Sequence, residues 1–243
     1  MSRGPRSPWV ALYGKEVRAF FDTPTAYVVT SAVLLISGYL FSATLFLRGR
    51  AVLDSFFNQV PLMLLFLAPA ITMRLYSEEV KSGTAEILAT LPVTESEVLW
   101  AKYLASMTVI TFYLAASLVY PVILSLVGSP DWGAILCGYS GAWLSAAVIC
   151  AAGLWTSSLT RNQLTAFILS LLIAMGFFLV GKLQPLLPPS VASVAAFLGL
   201  DAHLNNLTRG VIDVRDLLYY ASLIAFFLYL TYLNARNRRT ATR

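Results

Sequence analysis

Residues 103–127 read YLASMTVITFYLAASLVYPVILSLV, twenty-five consecutive positions without Asp, Glu, Lys or Arg. A helix of about 20 apolar residues crosses the hydrocarbon of a bilayer, so this run reads as a membrane span. Five more stretches read the same way: 26–47, 56–75, 134–158, 164–182 and 217–234. Over the whole chain 58% of residues are hydrophobic and 12% charged, whereas soluble domains carry roughly a quarter charged residues. One soluble core of 243 residues cannot hide that much apolar surface, and lipid is therefore the solvent. The fold class expected is an all-α membrane protein, a six-transmembrane-helix bundle forming one domain over 1–243.

The second span is the least regular, because Asn58, Gln59, Pro61 and Pro69 interrupt it. Neighbouring helices can satisfy the carbonyls that prolines free, so a kinked helix packed on protein is expected. The first apolar run begins near Tyr27, exceeds the length of a secretory h-region and lacks a small-residue cleavage site behind it, which predicts a retained span. Cys137 and Cys150 lie thirteen positions apart on one predicted helix, about 20 Å along its axis, too far for a disulfide.

Six spans place both termini on one side. That side holds twelve basic residues, in the N-terminal segment, the second and fourth loops and the tail, against five on the other. By the positive-inside rule both termini are expected in the cytoplasm. The +5 net charge is spread beside the apolar runs, which speaks for membrane orientation and against nucleic acid.

Two connections are long, a cytoplasmic one from Leu75 to Lys102 and an external one from Leu183 to Asp216. In the first, Ile87, Leu88 and Leu91 share one face of a helix predicted over Thr84–Leu91, with Glu86 off that face. Pro92 ends it, and Thr94 with Glu97 forms a capping box that starts the helix running through Lys102 into the third span. The alternative is a helix lying on headgroups, but Glu78, Glu79 and Glu86 are unfavourable beside anionic lipid and favour a basic protein partner. Upstream, residues 7–25 set Leu12, Val17, Phe20 and Phe21 against Lys15, Glu16 and Arg18. This suits either an interfacial helix or a plain flanking anchor, and Asp22-Thr23-Pro24 turns the chain into the bilayer.

The segments Lys15-Glu16 with Phe20, Phe21, Pro24 and Tyr27, the run Glu78-Glu79-Val-Lys81-Ser82-Gly83-Thr84-Ala-Glu86-Ile87-Leu88 closing with Leu91-Pro92-Val93, and Lys102 carry a family resemblance. The chain resembles, over its whole length, the permease subunits of ABC-2-type ATP-binding cassette exporters, most nearly the gliding-motility and nitrous-oxide-reductase maturation branch. The resemblance implies that Lys15, Glu16, Phe20, Phe21 and Pro24 belong to a connecting helix. It implies that a coupling helix at about 77–92, with Glu78, Glu79, Lys81, Ser82, Gly83, Thr84, Glu86, Ile87, Leu88, Leu91 and Pro92, docks on a cytoplasmic ATPase. On that reading the chain binds no cofactor, ATP and Mg being held by the partner subunit. A second permease chain and membrane lipid are further partners, and a bacterial or archaeal cytoplasmic (inner) membrane is the location. Arg48 to Ser55 is too short for the large external domain of other branches.

The external connection, residues 183–216, contains an apolar segment, Ser190–Leu200, too short to cross and suited to a re-entrant or interfacial helix, either an exit gate or a packed plug. His203, the single histidine, has no neighbouring ligand set and reads as a solvated loop residue. Asn206-Leu207-Thr208 matches a glycosylation acceptor, without meaning in a bacterial protein. Gly176 to Lys182 has phosphate-loop spacing, but Leu183 stands where a Ser or Thr would hold Mg²⁺ and the run lies in an apolar span, so the match is chance. Ala134, Gly138, Ala142, Ala146 and Cys150 recur every fourth residue, a face on which another helix can approach closely.

The spans carry hardly an ionisable side chain, unlike ion-coupled carriers, so energy is expected from outside the membrane. They hold no histidine or aspartate, and serines such as Ser31, Ser37, Ser42 and Ser117 read as small or backbone-bonding residues, which disfavours an intramembrane enzyme. An ATP-powered scaffold for motility or assembly machinery fits the same pattern as an exporter. The uncharged lining is compatible with lipid, polysaccharide, peptide or drug substrates. The final span, 217–234, leads into a short cytoplasmic tail at 235–243.

Overall fold

A computed structural model describes residues 8–48, 53–84, 93–128, 130–183, 188 and 197–241. All secondary structure among them is helical: α1 (Pro8–Phe21), α2 (Pro24–Arg48), α3 (Asp54–Thr72), α4 (Arg74–Ser82), α5 (Glu95–Ser117), α6 (Val119–Val127), α7 (Trp132–Leu159), α8 (Gln163–Leu183), α9 (Leu200–Thr208) and α10 (Val214–Ala241). Six stretches are long and apolar enough to cross a bilayer, with α3–α4 and α5–α6 each counting as one broken span. The expected helical spans are all present.

The break between α5 and α6 follows from proline. Pro121 lacks the N–H that would bond the Ser117 carbonyl four residues back. Tyr139 of α7 supplies the missing donor, its hydroxyl donating to the Ser117 carbonyl at 3.0 Å, with its oxygen 3.1 Å from the Ser117 Oγ. A carbonyl left unpaired in hydrocarbon costs several kcal/mol by general estimate, roughly the cost this hydroxyl removes. The second span keeps both prolines, Pro61 and Pro69, inside α3 and bends at Met73 into α4. It is a kinked helix, largely buried, as the sequence predicts.

The third span starts earlier than its apolar run. Thr94 caps α5 reciprocally, accepting from the Glu97 N–H at 3.3 Å while Glu97 Oε2 accepts from the Thr94 N–H at 2.8 Å. This carries the helix out to Glu95, beyond the apolar start at residue 103.

Helix α7 is the axis of the bundle and packs against α3, α5, α8, α9 and α10. Its small residues explain why: Ala142, Ala146 and Cys150 are fully buried, a Cβ on Gly138 would lie 2.6 Å from the Phe57 ring, and one on Gly153 would lie 2.0 Å from Thr72 Oγ1. The small-residue face therefore packs within the chain. Helices in lipid gain nothing from hiding apolar surface, so close van der Waals approach and interhelical hydrogen bonds hold them. Such bonds recur: Tyr103 Oη donates to the Ala147 carbonyl at 3.3 Å, Tyr120 Oη to the Leu34 carbonyl at 2.8 Å, and Trp143 Nε1 to Thr111 Oγ1 at 3.1 Å. Ser37 and Ser117 bond backbone carbonyls of their own helices, as expected.

At one end of the bundle α9 lies across α7, its Leu204 and Leu207 over Gly141. The solvated histidine expected there is corrected: His203 is only 7% exposed and stacks on Tyr219 of α10 with ring centroids 3.9 Å apart. Its Nδ1 lies 2.6 Å from Asp216 Oδ1 and its Nε2 3.0 Å from the Phe197 carbonyl. The turn from α9 into α10 folds the chain back and puts Asp216 against the ring, a juxtaposition invisible in a lone histidine. Most of the apolar Ser190–Leu200 segment lies outside the described residues. Gly176 to Lys182 is plain helix, with Lys182 paired to Asp201 at 2.8 Å.

Two substitutions check this packing. Gly153→Ala, which drives a methyl into Thr72, should cost about 1–3 kcal/mol, whereas Gly14→Ala in α1, where a Cβ meets nothing within 4 Å, should be neutral or stabilising. Thermal unfolding of the detergent-solubilised variants reads both.

Candidate functional site

At the other end of the bundle α1 lies, α10 ends, and the starts of α2, α5 and α8 meet the ends of α4 and α7. Here Lys102, eight residues into α5, is 0% exposed although it carries an ammonium group. Its Nζ lies 2.7 Å from Glu79 Oε1 of α4 and 3.2 Å from Glu16 Oε1 of α1, and donates to the Leu75 carbonyl at 2.7 Å. The Tyr76 ring stands 5.2 Å from the nitrogen. All three ammonium protons therefore have acceptors, the condition under which a buried charge is tolerated. One side chain so ties the N-terminal helix, the extension of the second span and the third span.

Each element is placed by local causes. Proline opens α2 at its first position, where no N–H is needed, and the turn at Asp22-Thr23 sets α1 aside from the bundle. Leu12 of α1 packs with Val98 and Ala101 of α5, and Tyr13 Oη lies 2.8 Å from Thr108 Oγ1. These contacts bring Glu16 to Lys102. Helix α4 is held from the opposite side: Ser157, near the end of α7, accepts from the Tyr76 and Ser77 N–H groups at 3.1 and 3.2 Å and donates to the Met73 carbonyl at 2.9 Å. The bend at Met73 thus exchanges its lost intrahelical bonds for bonds to α7. Arg74, the next residue, lies 4.4 Å over the Phe20 ring and donates to the Ala19 carbonyl at 3.1 Å and Thr23 Oγ1 at 3.3 Å, a second tie to α1.

The residues singled out from sequence separate into two sets. Glu79, grouped there with an acidic outer face, points inward to Lys102, and Glu16 is also buried. Glu78, Lys81, Ser82, Gly83 and Thr84 are exposed on the tip of α4. The stretch from Glu78 to Leu91 is not one helix: α4 ends at Ser82, and Gly83 takes the left-handed conformation with φ 74° that glycine adopts without penalty. Ser82 Oγ donates to the Glu78 carbonyl at 2.8 Å and lies 2.9 Å from Thr84 Oγ1, closing the helix end. Glu86, Ile87, Leu88, Leu91 and Pro92 lie outside the described residues. Of the N-terminal set, Lys15 is exposed and reaches Glu79 Oε1 at 4.0 Å, Phe20 is buried against Arg74, and Phe21 packs edge-on to Tyr27 and Phe112.

Sequence reasoning missed Ser157 and Arg74 as parts of this site. Nothing in the pattern of a serine near a span end signals that it clamps another helix, whereas a basic residue closing an apolar run was visible but read only as a charge for orientation. Among the described residues no group of three or more His, Cys, Asp or Glu could hold a metal. What the site offers chemically is a charge lock between helices, with an exposed α4 tip beside it.

A family model described as ABC-2 family transporter protein matches residues 42–240. The chain belongs to the ABC-2 transporter family. The match takes in the end of α2 and the five spans that follow, and with six apolar helices it makes the chain a multi-pass membrane transport component that is not itself catalytic. No curated protein matches the chain. Of the three elements that share the Lys102 charge, α4 and α5 lie within the matched region and α1 precedes it.

Removing one partner of a buried ion pair costs about 3–5 kcal/mol, because the remaining charge stays buried. Lys102→Met should therefore lower the unfolding temperature sharply, and Lys102→Met combined with Glu16→Gln and Glu79→Gln should recover most of the loss. A double-mutant cycle in detergent should give a larger coupling for Lys102–Glu79 than for Lys102–Glu16, following the shorter distance.

Proposed function

We propose that this chain is the permease subunit of an ATP-driven ABC exporter, in the gliding-motility and nitrous-oxide-reductase maturation branch, with ATP hydrolysis on a separate subunit. The observation that carries the proposal is the exposed tip of α4 beside the Lys102 lock, in a chain of the ABC-2 family. The basic residues gather on the face that holds this tip, which favours a cytoplasmic placement of that face and of both termini. The segment Glu78–Pro92 is then the ATPase-docking element, and α1 is the connecting helix.

Movement imposed at Gly83 reaches α4 first. Because α4 is tied to α1 through Arg74 and Glu79, to α5 through Lys102 and to α7 through Ser157, the displacement passes to three elements together. Two such permease chains, or this one with a similar partner, bind two ATPase subunits, and tilting of the bundles opens a path between them. The scarcity of ionisable groups in the spans supports an energy source outside the membrane. A scaffold that uses the same motion to drive external machinery shares every one of these features, and flux into vesicles separates the two.

Gly83→Val strains a left-handed position by about 1–2 kcal/mol, and Glu78→Arg reverses an exposed charge; neither touches the buried lock. Both variants should keep wild-type thermal stability to within a few degrees, yet lose co-purification with the ATPase and ATP-dependent transport. Full retention of ATPase binding and transport in both would refute the docking assignment.

A further inference from the structure

Between the start of α2, the α3–α4 bend and the start of α8 lies a cavity of about 210 Å³. Its lining is graded along the helix axes. Val29, Ala70 and Ile71, with Thr30 the one polar side chain among them, line the end deeper in the spans, whereas Thr23, Arg74 and Gln163 line the end where the helices leave the apolar region, with exposed Glu78 at the rim. An apolar floor beneath a polar rim at the level where spans begin is the profile of the lipid interface itself.

The Arg74 guanidinium is fixed there by the Phe20 ring beneath it and by its bonds to Ala19 and Thr23. Those two bonds use two of its five N–H donors, and no ion pair within 4.0 Å joins it to Glu78. A preorganised guanidinium with donors to spare is a phosphate site. Glu78 follows one turn later, about 6 Å along α4, and presents a carboxylate on the same cavity. The rim thus offers a cation and then an anion in the outward direction, above an apolar wall.

That order matches acyl chain, phosphate and protonated amine. The charge of the lining argues the same way: among the residues that line the cavity, Arg74 is the one cation and Glu78 the one anion. A lining without net positive charge does not single out an anionic lipid, as a cavity ringed by several cations would. We infer that this cavity binds a zwitterionic aminophospholipid, its phosphate on Arg74, its ammonium toward Glu78 and an acyl chain along Val29 and Ile71. The inference needs neither the ATPase nor the export reading, only the membrane span positions.

The test uses the purified full-length chain, delipidated in detergent and titrated with phosphatidylethanolamine, phosphatidylcholine or phosphatidylglycerol, with bound lipid counted by native mass spectrometry. Wild type should retain phosphatidylethanolamine about tenfold or more strongly than Arg74→Gln, the loss expected of one charge-assisted contact. Ala26→Trp, which fills the cavity and leaves Arg74 intact, should abolish the same adduct, and Glu78→Gln should erase the preference for phosphatidylethanolamine over phosphatidylcholine. Because Arg74→Gln also loses its ties to α1, Ala26→Trp and Glu78→Gln carry the test if that variant unfolds. Equal phosphatidylethanolamine binding by wild type and Ala26→Trp, or a preference for phosphatidylglycerol, overturns the assignment.

Discussion

An ammonium group without access to water is stable only where every proton has an acceptor and the net charge around it is negative or zero. Lys102 meets that condition through Glu79, Glu16 and a carbonyl, and the condition dictates much of the surrounding architecture. Glu79 reaches it because the second span bends at Met73 and continues as α4. Glu16 reaches it because α1 folds back along α5 instead of running on from α2. If either element shifted, a charge would be stranded, so the lock makes the position of α1 and α4 a matter of electrostatics as much as of packing.

The same rule, that polar groups in hydrocarbon must find partners inside the protein, accounts for the rest of the bundle. The Ser117 carbonyl freed by Pro121 takes the Tyr139 hydroxyl, and the α4 N–H groups left by the Met73 bend take Ser157. In both cases the donor or acceptor comes from α7, whose glycines and alanines let other helices come close enough for the bond to form. Close packing and polar satisfaction are thus two effects of one helix. Helices α2 and α8, by contrast, leave most of their surface outside the bundle, with Leu35 74% exposed.

The number and type of the helices were legible in the sequence because apolar run length is set by bilayer thickness, a constraint acting on each segment alone. The capping box at Thr94 and Glu97 was legible for the same reason: its partners are three residues apart. What could not be read were partnerships between distant segments. Lys102 and Glu16 are 86 positions apart, Tyr76 and Ser157 81, and His203 meets Tyr219 only because the chain doubles back before α10. Glu79 shows the failure most plainly. It stands next to Glu78 in sequence as if both served one surface, but successive residues of a helix point about 100° apart, so on α4 Glu79 turns to Lys102 and Glu78 to the outside.

The order of these residues along the chain has a consequence for how the protein is made. Glu16 and Glu79 are synthesised before Lys102, so both carboxylates are already at the membrane when the third span arrives. A lone lysine opposes insertion of a helix by about 2.5–3.5 kcal/mol if carried to the bilayer centre, and by less near its edge. Entering beside two waiting carboxylates, α5 brings its charge to a prepared counter-charge, and the first half of the chain acts as a template for the insertion of the second.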